Sequence, residues 1–245
     1  MTRTQIWLAS LAATVVAVAI AYFWIDRPVS FWAHAHTVPY RYVFGEMPKI
    51  SEWLFRIAAV VFVLAGAAVL TGRRLSHWQG VILLTSASLA ASETIKDELK
   101  FVFGRTWPET WTNNNPSLIN NGVFGFNPFQ SGSWYTSFPS GHTAAVCSVM
   151  SVLWLCYPKF RPLYAIVVAL VVGGLIGANY HFISDIIAGG FVGVSTGTCA
   201  VLLWRSYSAP DVVAPAAIAA PPLPPVAAGR LEKRKTKKRR PAGGR

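Results

Sequence analysis

Pro139-Ser140-Gly141-His142 stands directly before the apolar run 143–157, and His181-Phe182-Ile183-Ser184-Asp185 leads into a second run, 186–204. Neither run contains a charged residue, and both are too long for ordinary strands, so both read as buried helices. Working outward, further apolar runs lie at 6–25, 54–70, 78–91 and 164–178. The chain is 53% hydrophobic and only 13% charged, against about 25% charged in ordinary soluble domains. Most runs approach the roughly 20 residues that cross a bilayer as a helix. The expectation is an all-α fold, a six-transmembrane helix bundle over residues 1–208, with the motif-bearing core at about 50–204. The third run is interrupted by Thr85, Ser86 and Ser88, with Ser92 just beyond it, and these hydroxyls are expected to face the bundle interior.

The first run leads into bulky Tyr22, Phe23 and Trp24 rather than a small-residue cleavage site, so it reads as a retained helix and not as a signal peptide. Arg73, Arg74, Lys159, Arg161 and Arg205 all fall on one side of the six runs, which makes that side cytoplasmic. Both termini are then cytoplasmic, segments 26–53, 95–138 and 179–185 face outward, and the chain belongs in the inner (plasma) membrane with a periplasmic site. Lys96, Lys100 and Arg105 break this charge bias, which points to an anionic ligand on the outer side. Residues 209–229 are rich in Ala and Pro and read as a disordered linker. The last sixteen residues hold nine basic side chains against the single acid Glu232 and account for most of the net charge of +12. That tail reads as a topology anchor held to anionic lipid, with no nucleic-acid partner. Cys147, Cys156 and Cys199 lie in apolar runs and show neither disulfide nor metal-ligand spacing.

A helix N-terminus presents unpaired N–H groups and the positive end of its dipole, so it attracts phosphate. At the start of run 143–157, Gly141 permits close approach of an oxyanion, Ser140 can cap or donate, and His142 can protonate a leaving oxygen. The bland alternative is a plain helix cap with an interfacial histidine. His181 and Asp185 are four residues apart, on one helix face, where a carboxylate fixes the imidazole tautomer and leaves the other nitrogen free to attack. Here the alternative is a structural His–Asp bond. Gly189, Gly193 and Gly197 continue at the same spacing as a small-residue seam for close helix packing. Lys100 and Arg105 can stabilise charge on a transferring phosphoryl group, or else be a snorkelling interfacial pair. Segment 109–138 is rich in asparagines and aromatics and reads as a loop at the outer leaflet that roofs the site.

Together these residues resemble the type 2 phosphatidic acid phosphatase (PAP2) superfamily, membrane relatives of the vanadium haloperoxidases. Its three motifs run Lys-x6-Arg-Pro, Pro-Ser-Gly-His and Ser-Arg-x5-His-x3-Asp. The second is complete here. In the first, Lys100 leads to Trp107-Pro108, so tryptophan stands in place of arginine and the nearby guanidinium is Arg105. In the third, Gly174 and Leu175 occupy the Ser-Arg positions, while His181 and Asp185 remain. The resemblance implies that His181 attacks phosphorus to form a phosphohistidine, that Asp185 orients it, and that His142 protonates the leaving group and then activates water. It further implies that Lys100, Arg105, Ser140 and Gly141 hold the phosphoryl oxygens, with Lys96 able to assist, and that no metal or organic cofactor takes part. The expected substrate is a lipid phosphate monoester or diphosphate. Two other expectations remain open: a non-catalytic binder or transporter of an anionic lipid, favoured by the missing arginines, and a phosphotransferase sharing the same intermediate.

Overall fold

The computed structural model describes residues 1–72, 76–111 and 113–208. Arg73 and Arg74, used above for orientation, and the 209–245 linker and tail lie outside the described residues. The described architecture is all helical: α1 Arg3–Ile20, α2 Asp26–Thr37, α3 Arg41–Glu46, α4 Lys49–Leu70, α5 His77–Phe103, α6 Leu118–Asn121, α7 Gly141–Cys156, α8 Arg161–Gly177 and α9 Ile183–Ser208. Six of these are long, and they stand where the six apolar runs were read. By length and hydropathy, three stretches qualify as membrane spans: one within Arg3–Leu70, then Pro158–Gly177 and Ile183–Ser206. Helix α7 is apolar but only 16 residues long. Helix α5 is long enough at 27 residues, but its hydroxyls and its charged last turns lower its hydropathy.

Local sequence sets the ends that matter for the site. Helix α5 begins at Ser76, whose backbone N–H is taken by the Gln79 side chain at 2.9 Å, a reciprocal cap that satisfies an otherwise orphaned donor. It stops at Gly104, which adopts φ +55°; a Cβ there would collide with the Asn127 carbonyl. Helix α7 begins at Ser140, whose hydroxyl accepts from the Thr143 N–H at 3.4 Å. Helix α8 ends before Asn179, which takes the left-handed φ of +56° and turns the chain toward His181.

The centre of the molecule is the α7–α9 pair. A Cβ at Gly189, Gly193 or Gly197 would run into the Ser140, Ala144 or Ser148 carbonyl respectively, so the glycine seam of α9 lets its backbone lie directly on α7. Ser88 of α5 meets Ser148 of α7 at 2.6 Å, and the Ser92 hydroxyl donates to the Ala144 carbonyl at 3.3 Å. Of the four hydroxyls read as inward-facing, Ser88 and Ser92 thus reach α7, whereas Thr85 and Ser86 donate to carbonyls of their own helix, at Val81 and Ile82. Helix α1 lies against α9, with Trp7 Nε1 donating to Ser195 Oγ at 3.3 Å.

The 104–140 connection is folded rather than slack. Glu109 is buried, ion-paired to Arg41 at 2.6 Å and hydrogen-bonded to His34 Nδ1 at 2.6 Å, while Asn179 donates to it at 3.1 Å. Its aromatics divide into two groups. Phe129 and Trp134 are exposed, whereas Phe124 and Phe126 pack inward against Tyr22.

Candidate active site

The α7 N-terminus and the first turn of α9 meet where the Ser140 N–H donates to the Asp185 carbonyl at 3.0 Å. This contact and the glycine seam bring His142 and His181 together, with ring centroids 5.9 Å apart. Both line a cavity of about 340 Å³, shared with Lys96 and Lys100 of α5, Gly141, Trp107, and Glu52 and Arg56 of α4. Gly141 has a steric reason as well: a Cβ there would sit 3.0 Å from Lys96 Cδ, so its absence lets the Lys96 stem lie against the helix end. Ser140 is fully buried and spends its hydroxyl on Thr143, through the N–H and the side chain at 3.1 Å. It shapes the helix end rather than lining the cavity.

His181 is almost completely buried, with Nδ1 3.5 Å from Asp185 Oδ2 and the Trp107 indole packed on its ring at 5.2 Å. Burial pushes the imidazole below its ordinary range, opposed by the Asp185 carboxylate, so the neutral, nucleophilic form prevails at neutral pH. Asp185 is itself fixed. Its Oδ2 accepts from Ser137 Oγ at 2.6 Å and from the Phe182 N–H at 3.1 Å, and its Oδ1 accepts from Arg105.

Arg105 departs from the expectation that it grips phosphate. Its side chain is fully buried and is not among the cavity-lining residues. The guanidinium donates to Asp185, to Ser184 Oγ, and to Asp26 Oδ2 at 2.7 Å, while the rings of Phe182, Phe126, Tyr22 and Phe124 surround it at 4.2–5.3 Å. The reason is local: Gly104 turns the chain at the end of α5, and Asp26 supplies a second carboxylate from the start of α2. Ser184 closes the cluster, donating from Oγ to Asp26 Oδ2 at 2.5 Å and from N to Oδ1 at 3.0 Å.

Sequence reasoning missed Asp26, Ser137 and Ser184 as supports of Asp185, and Glu52, Glu93 and Arg56 at the cavity. Asp26 did carry a signal, as an acid placed immediately after an apolar run. Lys96 is tied to Glu93 at 2.7 Å and to Asp97 at 3.0 Å, whereas Lys100 has no ion pair among the described residues. Among those residues no group of three or more metal-ligating side chains occurs.

The sequence pattern of the PAP2 superfamily matches residues 81–209, more than half of the chain. The chain belongs to the PAP2 superfamily. Two relatives named lipid A 1-phosphatase are similar to it. The one from Rhizobium etli is 29% identical over 197 residues, covering 75% of this chain and 78% of that protein. The one from Rhizobium johnstonii is 28% identical over 200 residues, covering 75% of each. In fold, the chain is similar to the transmembrane PAP2-type phosphatidylglycerolphosphate phosphatase of Bacillus subtilis, with a TM-score of 0.51, 15% identity, and coverage of 82% of this chain and 96% of that one. The protein is thus a PAP2-type lipid phosphate phosphatase with the all-helical transmembrane fold of that superfamily.

Proposed function

We propose that this PAP2 phosphatase removes phosphate from a lipid phosphate monoester or diphosphate at the outer face of the inner membrane, through a phosphohistidine on His181. The six long helices cross the bilayer with both termini cytoplasmic, and the cavity opens on the opposite side. The observation that carries the reading is the pairing of a buried His181, braced by Asp185, with a half-exposed His142 across one cavity that also holds Lys96 and Lys100.

In the first step Nε2 of His181 attacks phosphorus, the bond to the leaving oxygen breaks, and His142 gives that oxygen its proton. In the second, the now neutral His142 takes a proton from water as it attacks the phosphohistidine; the P–N bond breaks and inorganic phosphate leaves. Lys100, Lys96 and the N–H groups at the start of α7 stabilise charge on the equatorial oxygens. Asp26, Arg105 and Asp185 together hold two negative charges and one positive. A positive charge developing on His181 makes that buried cluster neutral, which favours attack.

We take lipid A 1-phosphate as the first candidate substrate, a choice supported by the relatives' names, followed by phosphatidylglycerophosphate, phosphatidate and undecaprenyl diphosphate. Phosphate release from these four in detergent tests the proposal. Turnover of at least one, abolished by His181→Ala, is expected; release from none, together with retained binding of the lipids, would make the protein a carrier of anionic lipid instead.

A further inference from the structure

Trp107 and Leu175 stand where the superfamily resemblance expects arginines, and Arg105 is enclosed with Asp26 and Asp185. A different arginine does line the cavity. Arg56 lies on α4, outside all three motif segments, one helical turn beyond Glu52, which lines the same cavity. We propose that Arg56 is a substrate-binding residue whose guanidinium supplies, from α4, the two-pronged grip on the phosphoryl oxygens. The proposal rests on the phosphatase reading and names the cation that completes its site.

The present partners of Arg56 leave it available. Its contact with Glu52 is long, 3.9 Å, and its side chain is 64% exposed. Such an exposed pair contributes at most about 1 kcal/mol, so an incoming phosphate dianion displaces it readily. Its other neighbour is the Trp53 ring, 5.0 Å from the guanidinium carbon, a face contact that leaves the N–H edge free. Lys96 contrasts with it, since two carboxylates already hold its ammonium. A guanidinium also differs from the two lysines in kind: its planar fork donates two parallel hydrogen bonds to a phosphoryl group, which an ammonium cannot. Trp107 helps explain why the grip comes from α4: its indole packs on His181 and its Nε1 donates to the Ser133 carbonyl at 2.9 Å, so its position in the first motif seals the nucleophile instead of holding charge.

The test uses the full-length protein in detergent, with orthovanadate and inorganic phosphate binding measured by calorimetry and p-nitrophenyl phosphate hydrolysis measured in parallel. Arg56→Ala should weaken orthovanadate binding about 30-fold, as for loss of a charge-assisted bidentate pair. It should lower kcat/KM about 100-fold, the effect of deleting one oxyanion donor, at an unchanged Tm because the side chain is exposed. Arg56→Lys should recover only a small part of either loss, and Glu52→Gln should tighten orthovanadate binding severalfold. Arg56→Ala within threefold of the parent in both assays, full recovery with lysine, or a parent protein that binds neither anion would each overturn the proposal. Hydrolysis that does not depend on Arg56 sustains the enzyme and removes the arginine. Arg56-dependent anion binding without hydrolysis sustains the arginine and removes the phosphatase reading.

Discussion

Arg105 and the cavity cations are all basic side chains near the two histidines, yet the fold uses them in opposite ways. Arg105 is sealed among four aromatic rings with its charge matched by Asp26 and Asp185. Lys96, Lys100 and Arg56 line an open cavity beside His142 and His181. The two terminal nitrogens of this buried cation are already engaged by Ser184, Asp185 and Asp26, and moving it toward a substrate would leave two uncompensated carboxylates. Its terminal nitrogens hold Asp185 and Asp26, and the Asp185 carboxylate so fixed lies 3.5 Å from His181 Nδ1. Of the cavity cations, Lys100 has no ion pair among the described residues and Arg56 only a long one at 3.9 Å, so these two can change partners when phosphate arrives, whereas Lys96 is already held by Glu93 and Asp97. Nearness to a motif in sequence therefore says less about a cation's role than the charges already around it.

The largest effect that sharpens this contrast belongs to His181→Ala, which should lower kcat by at least about 10⁴-fold, as removal of a covalent nucleophile does. The purified variant should remain monodisperse. Activity near the parental level would end the phosphohistidine account. Next comes Arg105→Ala, which leaves Asp26 and Asp185 buried without a counter-charge and should cost about 3–5 kcal/mol of stability, read as a lower Tm in detergent. If Arg105→Ala instead kept its Tm and lost only phosphate binding, the two groups of cations would not differ as described.

A smaller effect is expected at the α7–α9 seam. Gly193→Ala places a methyl group on the Ala144 carbonyl and should destabilise by about 1–3 kcal/mol while shifting His142 relative to His181. An unchanged Tm and unchanged kcat would show that the seam does not set the spacing of the histidines. The smallest belongs to Lys96→Ala, under about tenfold in kcat/KM, because Glu93 and Asp97 already neutralise that ammonium. A greater loss there than in Lys100→Ala would reverse the ranking of the two lysines.

What the sequence shows of this site is what lies close together along the chain. The Pro-Ser-Gly-His turn, the four-residue step from His181 to Asp185, and the glycines at 189, 193 and 197 are local patterns whose geometry follows from helix periodicity. The structure adds the neighbour that the glycines face. The supports of Asp185 were hidden because they come from distant segments: Asp26 reaches Arg105 across 79 residues and Ser184 across 158. Arg56 was equally hidden, since on α4 it reads as one charged residue in an apolar helix, and only the packing of α4 beside α5 and α7 brings it to the cavity. For the same reason the aromatics of segment 109–138 read as headgroup contacts, although Phe124 and Phe126 turn inward around Arg105.

In the proposed mechanism His181, beside the buried Asp185–Arg105–Asp26 cluster, carries the phosphoryl group. Rapid quench into alkali after mixing the enzyme with a ³²P-labelled lipid phosphate tests it most directly, followed by mapping of the labelled peptide. An alkali-stable, acid-labile label on His181 is expected, absent in His181→Ala and accumulating in His142→Ala, where water is no longer activated. Label on any other residue, or multiple turnovers with no label trapped at any quench time, would contradict it.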